Sequence, residues 1–206
     1  MSVADIDGQI PAEFPLTVNA VLIPTFAAIG IIINIVPARL LAQVKNLPAV
    51  TLVITNMVTN LWSFLNGVIW PTEDWSRWWN GVGFCDIQVI LQTPLYTLYV
   101  LATCLLMRDL ARAVDVDNPC LFETPARRRR RLILDVLCIF GPPIIQLPLH
   151  YVVQPSRFGI SPIYGCVDIL DNSWPEIVLL SMWPLLIGIL SCYYACKSFL
   201  YHSCPD

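Results

Sequence analysis

The chain has 206 residues, of which 56% are hydrophobic and only 13% charged, with a formal net charge of −3 and a mean hydropathy of +0.65. Ordinary soluble domains carry about 25% charged residues, so this composition cannot furnish a water-soluble surface. It excludes a soluble globular domain and points to a protein whose main solvent is lipid.

No cleavable signal pattern opens the chain. The first basic residue is Arg39, so no charged segment precedes an apolar core, and the first span itself is expected to direct insertion. A spanning helix needs about 20 apolar residues, because a rise of about 1.5 Å per residue must cover about 30 Å of hydrocarbon. Five stretches reach that length: 14–38, 46–72, 87–107, 136–156 and 177–196. No face of any of them is charged, as a soluble amphipathic helix would require. Residues 1–206 are therefore expected to form one all-α membrane bundle, with loop 108–131 on one side and loop 157–176 on the other. Pro48 falls near a helix start, where its missing N–H costs nothing. Pro94, the Pro142–Pro143 pair and Pro184 fall inside spans and are expected to kink them.

Lys and Arg in short loops set orientation. Alternate sides of the five spans carry ten basic residues against two, which puts the N-terminus outside and the C-terminus inside. Most of the bias comes from Arg108, Arg112 and the run Arg127, Arg128, Arg129, Arg130 and Arg131. In a soluble protein five consecutive arginines would suggest nucleic acid. Between two spans they mark the cytoplasmic side, and no nucleic-acid partner is expected. The outer side is acidic, through Asp5, Asp7, Glu13, Glu73, Asp74, Asp86, Asp168, Asp171 and Glu176. That field would favour a cationic ligand, or it is the by-product of retaining basic residues inside.

Trp70, Trp75, Trp78 and Trp79 cluster after span 2 and read first as an aromatic belt at the headgroup level. In span 3, Gln88, Gln92, Tyr96, Tyr99 and Thr103 fall within an arc of about 80°. Span 2 carries a similar row, Thr55, Thr59, Ser63 and Asn66. Polar membrane residues turn inward, so these rows either bond helix to helix or line a cavity that admits a ligand. Asp135 is expected at the start of span 4, stabilised by the helix dipole and by the adjacent arginines. His150 has no acid or second His at ligand spacing, and no metal or cofactor is expected. The eight cysteines contain no C-x-x-C pair and are mostly small apolar residues within helices. Cys85 and Cys166 share the oxidising side of this topology and are the best candidates for a bridge.

From span 2 onward the chain resembles the fungal lipopeptide mating-pheromone receptors, the a-factor-receptor class of G-protein-coupled receptors. Asn46-Leu47-Pro48-Ala49 is similar to that family's entry to span 2, and Cys85-Asp86-Ile87 to its start of span 3. Cys104-x-x-x-Arg108-x-Leu110 resembles its close of span 3. The run His150-Tyr151-Val152-Val153-Gln154-Pro155-Ser156-Arg157-Phe158-Gly159-Ile160, followed by Gly165-Cys166, carries the strongest likeness. Trp183-Pro184 with Ser191 and Tyr193 resembles the fifth span. The resemblance implies a seven-span receptor in the plasma membrane, binding a farnesylated peptide pheromone outside and activating a heterotrimeric G protein inside. Thr55, Thr59, Ser63, Asn66, Gln88, Gln92, Tyr96 and Tyr99 are then candidate ligand contacts. Arg108, Asp109, Arg112 and Arg127–Arg131 would face the G protein, although the same arginines would also bind anionic membrane lipid. The family pattern differs at Asp109, an acid placed to hold Arg108 in a local pair. The chain ends at Asp206, just after span 5, so an N-terminal fragment or a truncated product is expected, and Cys204-Pro205-Asp206 is one residue short of a prenylation signal.

Three other functions compete with this one. A non-signalling remnant stays open on sequence. A small transporter or channel would need a charge at mid-depth, which the spans lack. An enzyme is not expected, since no Ser/His pair, G-x-S-x-G or H-E-x-x-H occurs.

Overall fold

The computed structural model describes residues 17–74, 78–114, 124–154, 156–169 and 174–203, with side chains to residue 199. Trp75, Arg77, Asp171, the N-terminal acids and the Cys204-Pro205-Asp206 end lie outside the described residues.

Five helical segments are long and apolar enough to cross a membrane. Helix α1 is Val18–Val44, α2 is Leu47–Ile69, α3 is Phe84–Val114 and α4 is Pro125–Val153. The fifth crossing is composite: α5 (Trp174–Glu176), a π-helical turn (Ile177–Ser181) and α6 (Met182–Ser203). The wider π turn lies just before Pro184, whose ring would clash with the carbonyl one turn back in a regular helix. The kink expected at Pro184 thus takes the form of a local change of helix type.

Lys45 and Asn46 alone join α1 to α2. Lys45 ends α1 in the left-handed region, with φ 59°, and its N–H bonds the Ala42 carbonyl at 3.1 Å. Asn46 starts α2 by accepting a 3.2 Å bond from the Ala49 N–H, with Pro48 at the first turn as its missing donor allows. The two helices approach closely where Gly67 meets Pro24, since a Cβ at Gly67 would lie 3.0 Å from the proline ring. Small residues permit such contacts in lipid, where apolar burial gives little drive to associate. Helix α3 is the hub and packs on α2, α4 and α6. The buried positions of α4, Asp135, Ile139, Pro143, Gln146, His150 and Val153, recur in steps of three and four and form its inner stripe.

Between α4 and α5 the chain makes a two-stranded antiparallel hairpin, β1 (Gly159–Ser161) and β2 (Gly165–Val167), with Ile160 opposite Cys166. A disulfide joins Cys166 to Cys85 at the start of α3, across 81 residues of sequence. Trp70 and Val89 bury themselves against it, with Trp78, Phe84, Phe158 and Ile160 packed around them. Three polar contacts reinforce the seat. Asn66 Nδ2 donates to the Tyr164 carbonyl at 2.8 Å, and the Ile163 N–H donates to the Trp70 carbonyl at 2.9 Å. Arg157 pairs with Asp86 at 2.7 Å.

Four expectations change. Trp70 is fully buried, stacks on Trp79 at 6.2 Å and donates to its carbonyl, so it plugs the protein and does not sit in a headgroup belt. Trp78 likewise donates inward, to the Thr72 carbonyl at 2.9 Å. The arginine run is not loop: α4 begins at Pro125, so Arg127–Arg131 occupy its first turns, while α3 extends to Val114. Asp135 therefore lies in the third turn of α4, past the reach of the dipole end.

Gly165 has φ +71°, and a Cβ there would lie 2.3 Å from Asn66 Cγ. Gly165→Ala must strain the turn and displace the asparagine that anchors it. Thermal unfolding in detergent should register a loss of about 2 kcal/mol or more, against a near-neutral effect for Gly141→Ala, whose Cβ meets nothing within 4 Å.

Candidate functional site

A cavity of about 890 Å³ lies beneath the hairpin between α2, α3 and the fifth crossing. All eight candidate ligand residues line it: Thr55, Thr59, Ser63 and Asn66 from α2, and Gln88, Gln92, Tyr96 and Tyr99 from α3. The two polar rows face a common space. Thr59 and Ser63 satisfy their hydroxyls on carbonyls of their own helix, at 3.0 and 3.1 Å. The Thr55 hydroxyl and the Gln88 side-chain oxygen are buried without a partner among the described residues. Hydrogen-bonding capacity is thus left unused within the packed wall at Thr55 and Gln88. Thr103, the last of the span 3 row, falls outside it and turns its hydroxyl onto the Tyr99 carbonyl at 2.9 Å.

The rest of the wall was illegible from the two rows. Trp62 and Thr93 are neighbours of predicted positions, and extending each row by a turn or a residue would have found them. Tyr164 and Val167 come from the hairpin, and Glu176, Leu180, Ser181 and Pro184 from the fifth crossing. Glu176 is the charged residue among the described residues of this wall and accepts a hydrogen bond from the Ser181 hydroxyl. Its place at the π turn brings an acid to the cavity edge.

Beside the cavity, at the end of α4, His150 is fully buried and its Nε2 lies 3.5 Å from Asp168 Oδ1. The acid neighbour that sequence spacing denied to His150 is thus supplied by the segment after β2. Burial raises the Asp168 pKa from its ordinary 3.8; His150 opposes that shift and Glu176 adds to it. Among the described residues, no group of three or more His, Cys, Asp or Glu is arranged to hold a metal.

At the opposite end, Arg108 of α3 is held by two carboxylates. Its Nη2 lies 2.7 Å from Asp109 Oδ1, and its Nη1 lies 2.9 Å from Asp135 Oδ1 on α4. The local Arg108–Asp109 pair expected from sequence is present. Asp135 takes a partner from α3, Arg108. Arg108 and Asp135 are 13% and 8% exposed, so this pair is buried and ties α3 to α4, whereas Arg112 lies 3.8 Å from Asp109 in a looser contact. Arg127–Arg130 are exposed and Arg131 is half-buried.

The pheromone A receptor family model matches residues 22–203. The chain is 26% identical to the pheromone a factor receptor of Saccharomyces cerevisiae over 156 residues, covering 75% of this chain and 32% of that protein. It is 26% identical to pheromone receptor 1 of Mycosarcoma maydis over 178 residues, covering 85% and 48%. With the pheromone B alpha 3 receptor of Schizophyllum commune it shares 25% identity over 174 residues, covering 84% and 27%. The chain thus spans between about a quarter and a half of the length of these relatives. No solved structure matches it.

Removing one partner of a buried pair costs about 3–5 kcal/mol, and an exposed pair about 0–1 kcal/mol. Asp135→Asn is expected to destabilise the protein by about 3 kcal/mol, and Asp109→Asn, which removes a half-buried carboxylate from the same cation, by less, read by thermal or denaturant unfolding. A second expectation concerns pH. A carboxyl whose pKa is raised on folding binds its proton more tightly in the native state, so stability falls as pH climbs from 3.8 through the raised value. Asp168→Asn should flatten that part of the stability profile, measured as melting temperature against pH.

Proposed function

The chain belongs to the pheromone A receptor family, a family of membrane receptors, and from that premise we propose that its cavity binds a farnesylated peptide pheromone. The hairpin end then faces outward at the plasma membrane, and the arginine end meets a heterotrimeric G protein. The observation that carries this reading is the cavity itself. Its volume lies in the range of small-ligand sites, and both polar rows line it.

A lipopeptide has two chemistries to satisfy. The prenyl chain gains about 0.8 kcal/mol per buried CH₂, and Trp62, Leu95, Val167 and Leu180 offer apolar wall for it. The peptide amides can pair with Gln88, Gln92 and the α2 hydroxyls. Glu176 suits a cationic group at the cavity edge, in keeping with an acidic outer face.

Binding activates only to the extent that the ligand favours one of two conformations. Helix α3 lines the cavity with Gln88 to Tyr99 and holds Asp135 with Arg108 at its far end. A shift of α3 that releases Arg108 from Asp135 would link the two ends, and the G protein would read the change beside Arg112 and the arginine run. Asp109 stays with Arg108 on the same helix and would bias it toward the held state.

Membranes containing the chain should bind farnesylated peptide and fail to bind the same peptide lacking its prenyl group. Gln88→Leu with Gln92→Leu should weaken binding by about tenfold, the loss of two hydrogen bonds worth about 1 kcal/mol each, with partial offset from added apolar surface. Equal binding of prenylated and unprenylated peptide, or an affinity unchanged by the double substitution, would remove the cavity from this role.

A further inference from the structure

A second cavity, of about 670 Å³, opens at the arginine end where α1 and α2 join, α3 ends and α4 begins. Cations reach it from three directions: Lys45 from the α1–α2 link, Arg112 from the last turn of α3, and Arg128 and Arg129 from the first turn of α4, with Arg131 beyond them. Two acids also line it, Asp109 and Asp135, and both are engaged with Arg108. Among the described lining residues, cations outnumber acids.

Two further features say what kind of anion fits. Thr124 starts α4 without a side-chain cap, and Pro125, which opens this 29-residue helix, lines the groove, so the positive end of the helix dipole lies beside it. The groove also has an apolar side. Val44, 72% exposed, and Leu132, 49% exposed, line the same space as the arginines. The site sits at the ends of membrane-length helices, where phosphate headgroups lie. A free inorganic anion would use the cations and leave the apolar rim idle. A lipid with one phosphate would leave most of the cations unmatched.

We propose that this groove binds the headgroup of a multiply phosphorylated inositol lipid, with Lys45, Arg112, Arg128 and Arg129 on its phosphates and Val44 and Leu132 against its acyl chains. The site lies outside the pheromone cavity and does not depend on which ligand fills that cavity. It differs from diffuse attraction to anionic lipid because it distinguishes among the five arginines. Arg128 and Arg129 line the groove, whereas Arg127 and Arg130 do not, although all four are exposed and carry the same charge.

That distinction supplies the test. The chain in phosphatidylcholine nanodiscs is titrated with a fluorescent short-chain phosphatidylinositol bisphosphate, with empty nanodiscs as blank. Arg128→Gln with Arg129→Gln is expected to weaken binding at least tenfold. Arg127→Gln with Arg130→Gln, the same charge loss in the same run, is expected to change it by less than threefold. Equal losses in the two double variants would overturn the proposal in favour of a diffuse field. Displacement of the probe by phosphatidylserine at matched charge would do the same. Soluble inositol trisphosphate binding as tightly as the lipid would sink the role of the apolar rim, and hence a lipid as occupant. Stronger displacement by an acidic peptide than by the lipid would overturn it too, assigning the groove to a protein partner.

Discussion

In a bundle bathed by hydrocarbon, burying apolar side chains gives helices little reason to associate, so the fixed points must be covalent, polar or tightly packed. Here the fixed point on which the others depend is the disulfide between Cys85 and Cys166. It ties the entry of α3 to the hairpin and gives Trp70 and Val89 a surface to bury against. With β2 held there, the Tyr164 carbonyl comes within reach of Asn66, and the chain between α4 and α5 becomes the roof of the cavity. Closing a connection of that span is also where a cross-link removes much unfolded-state freedom.

The opposite pole is organised by charge. Arg108 is the cation drawn into the bundle there, matched by Asp135 on the neighbouring helix and Asp109 on its own. A buried ion pair contributes modestly against its desolvation cost, but one left incomplete is expensive, so it restricts how α3 and α4 can meet. The exposed arginines beside it play a different part. Of these, Arg128 and Arg129 charge the groove next to the α1–α2 link. Helix α3 is therefore anchored at one end by a covalent bond and at the other by an ion pair, and the polar side chains facing the cavity lie between these anchors.

Much of the candidate site was legible as periodicity. The steps of three and four that align Gln88, Gln92, Tyr96 and Tyr99, and the matching row on α2, depend only on helix geometry, and the cavity gathers all eight side chains. Thr103 shows the limit of such a row: the angle is right, but the cavity ends before it is reached. Trp70 and Trp78 were misread because an aromatic near a span end looks alike in sequence whether it faces lipid or protein. Trp70 faces protein because the disulfide and Phe84 lie beside it. Asp135 was placed too near a helix start because five arginines read as loop, whereas arginine is a good helix former and Pro125 opens the helix ahead of them.

The sequence by itself determined that five segments are long and apolar enough to span a membrane, which side holds the basic residues, and which helix faces are polar. Those properties follow from length, charge and a repeat of about 3.6 residues, all of them local along the chain. Only the tertiary structure decided that His150 meets Asp168, that Arg108 takes Asp135, and that Asn66 seats the hairpin turn 98 residues away. Such contacts depend on the rotation and depth of each helix against its neighbours. These are set jointly by close approaches such as Gly67 on Pro24, by the π turn before Pro184 and by the single disulfide among the described residues, and no local pattern encodes them.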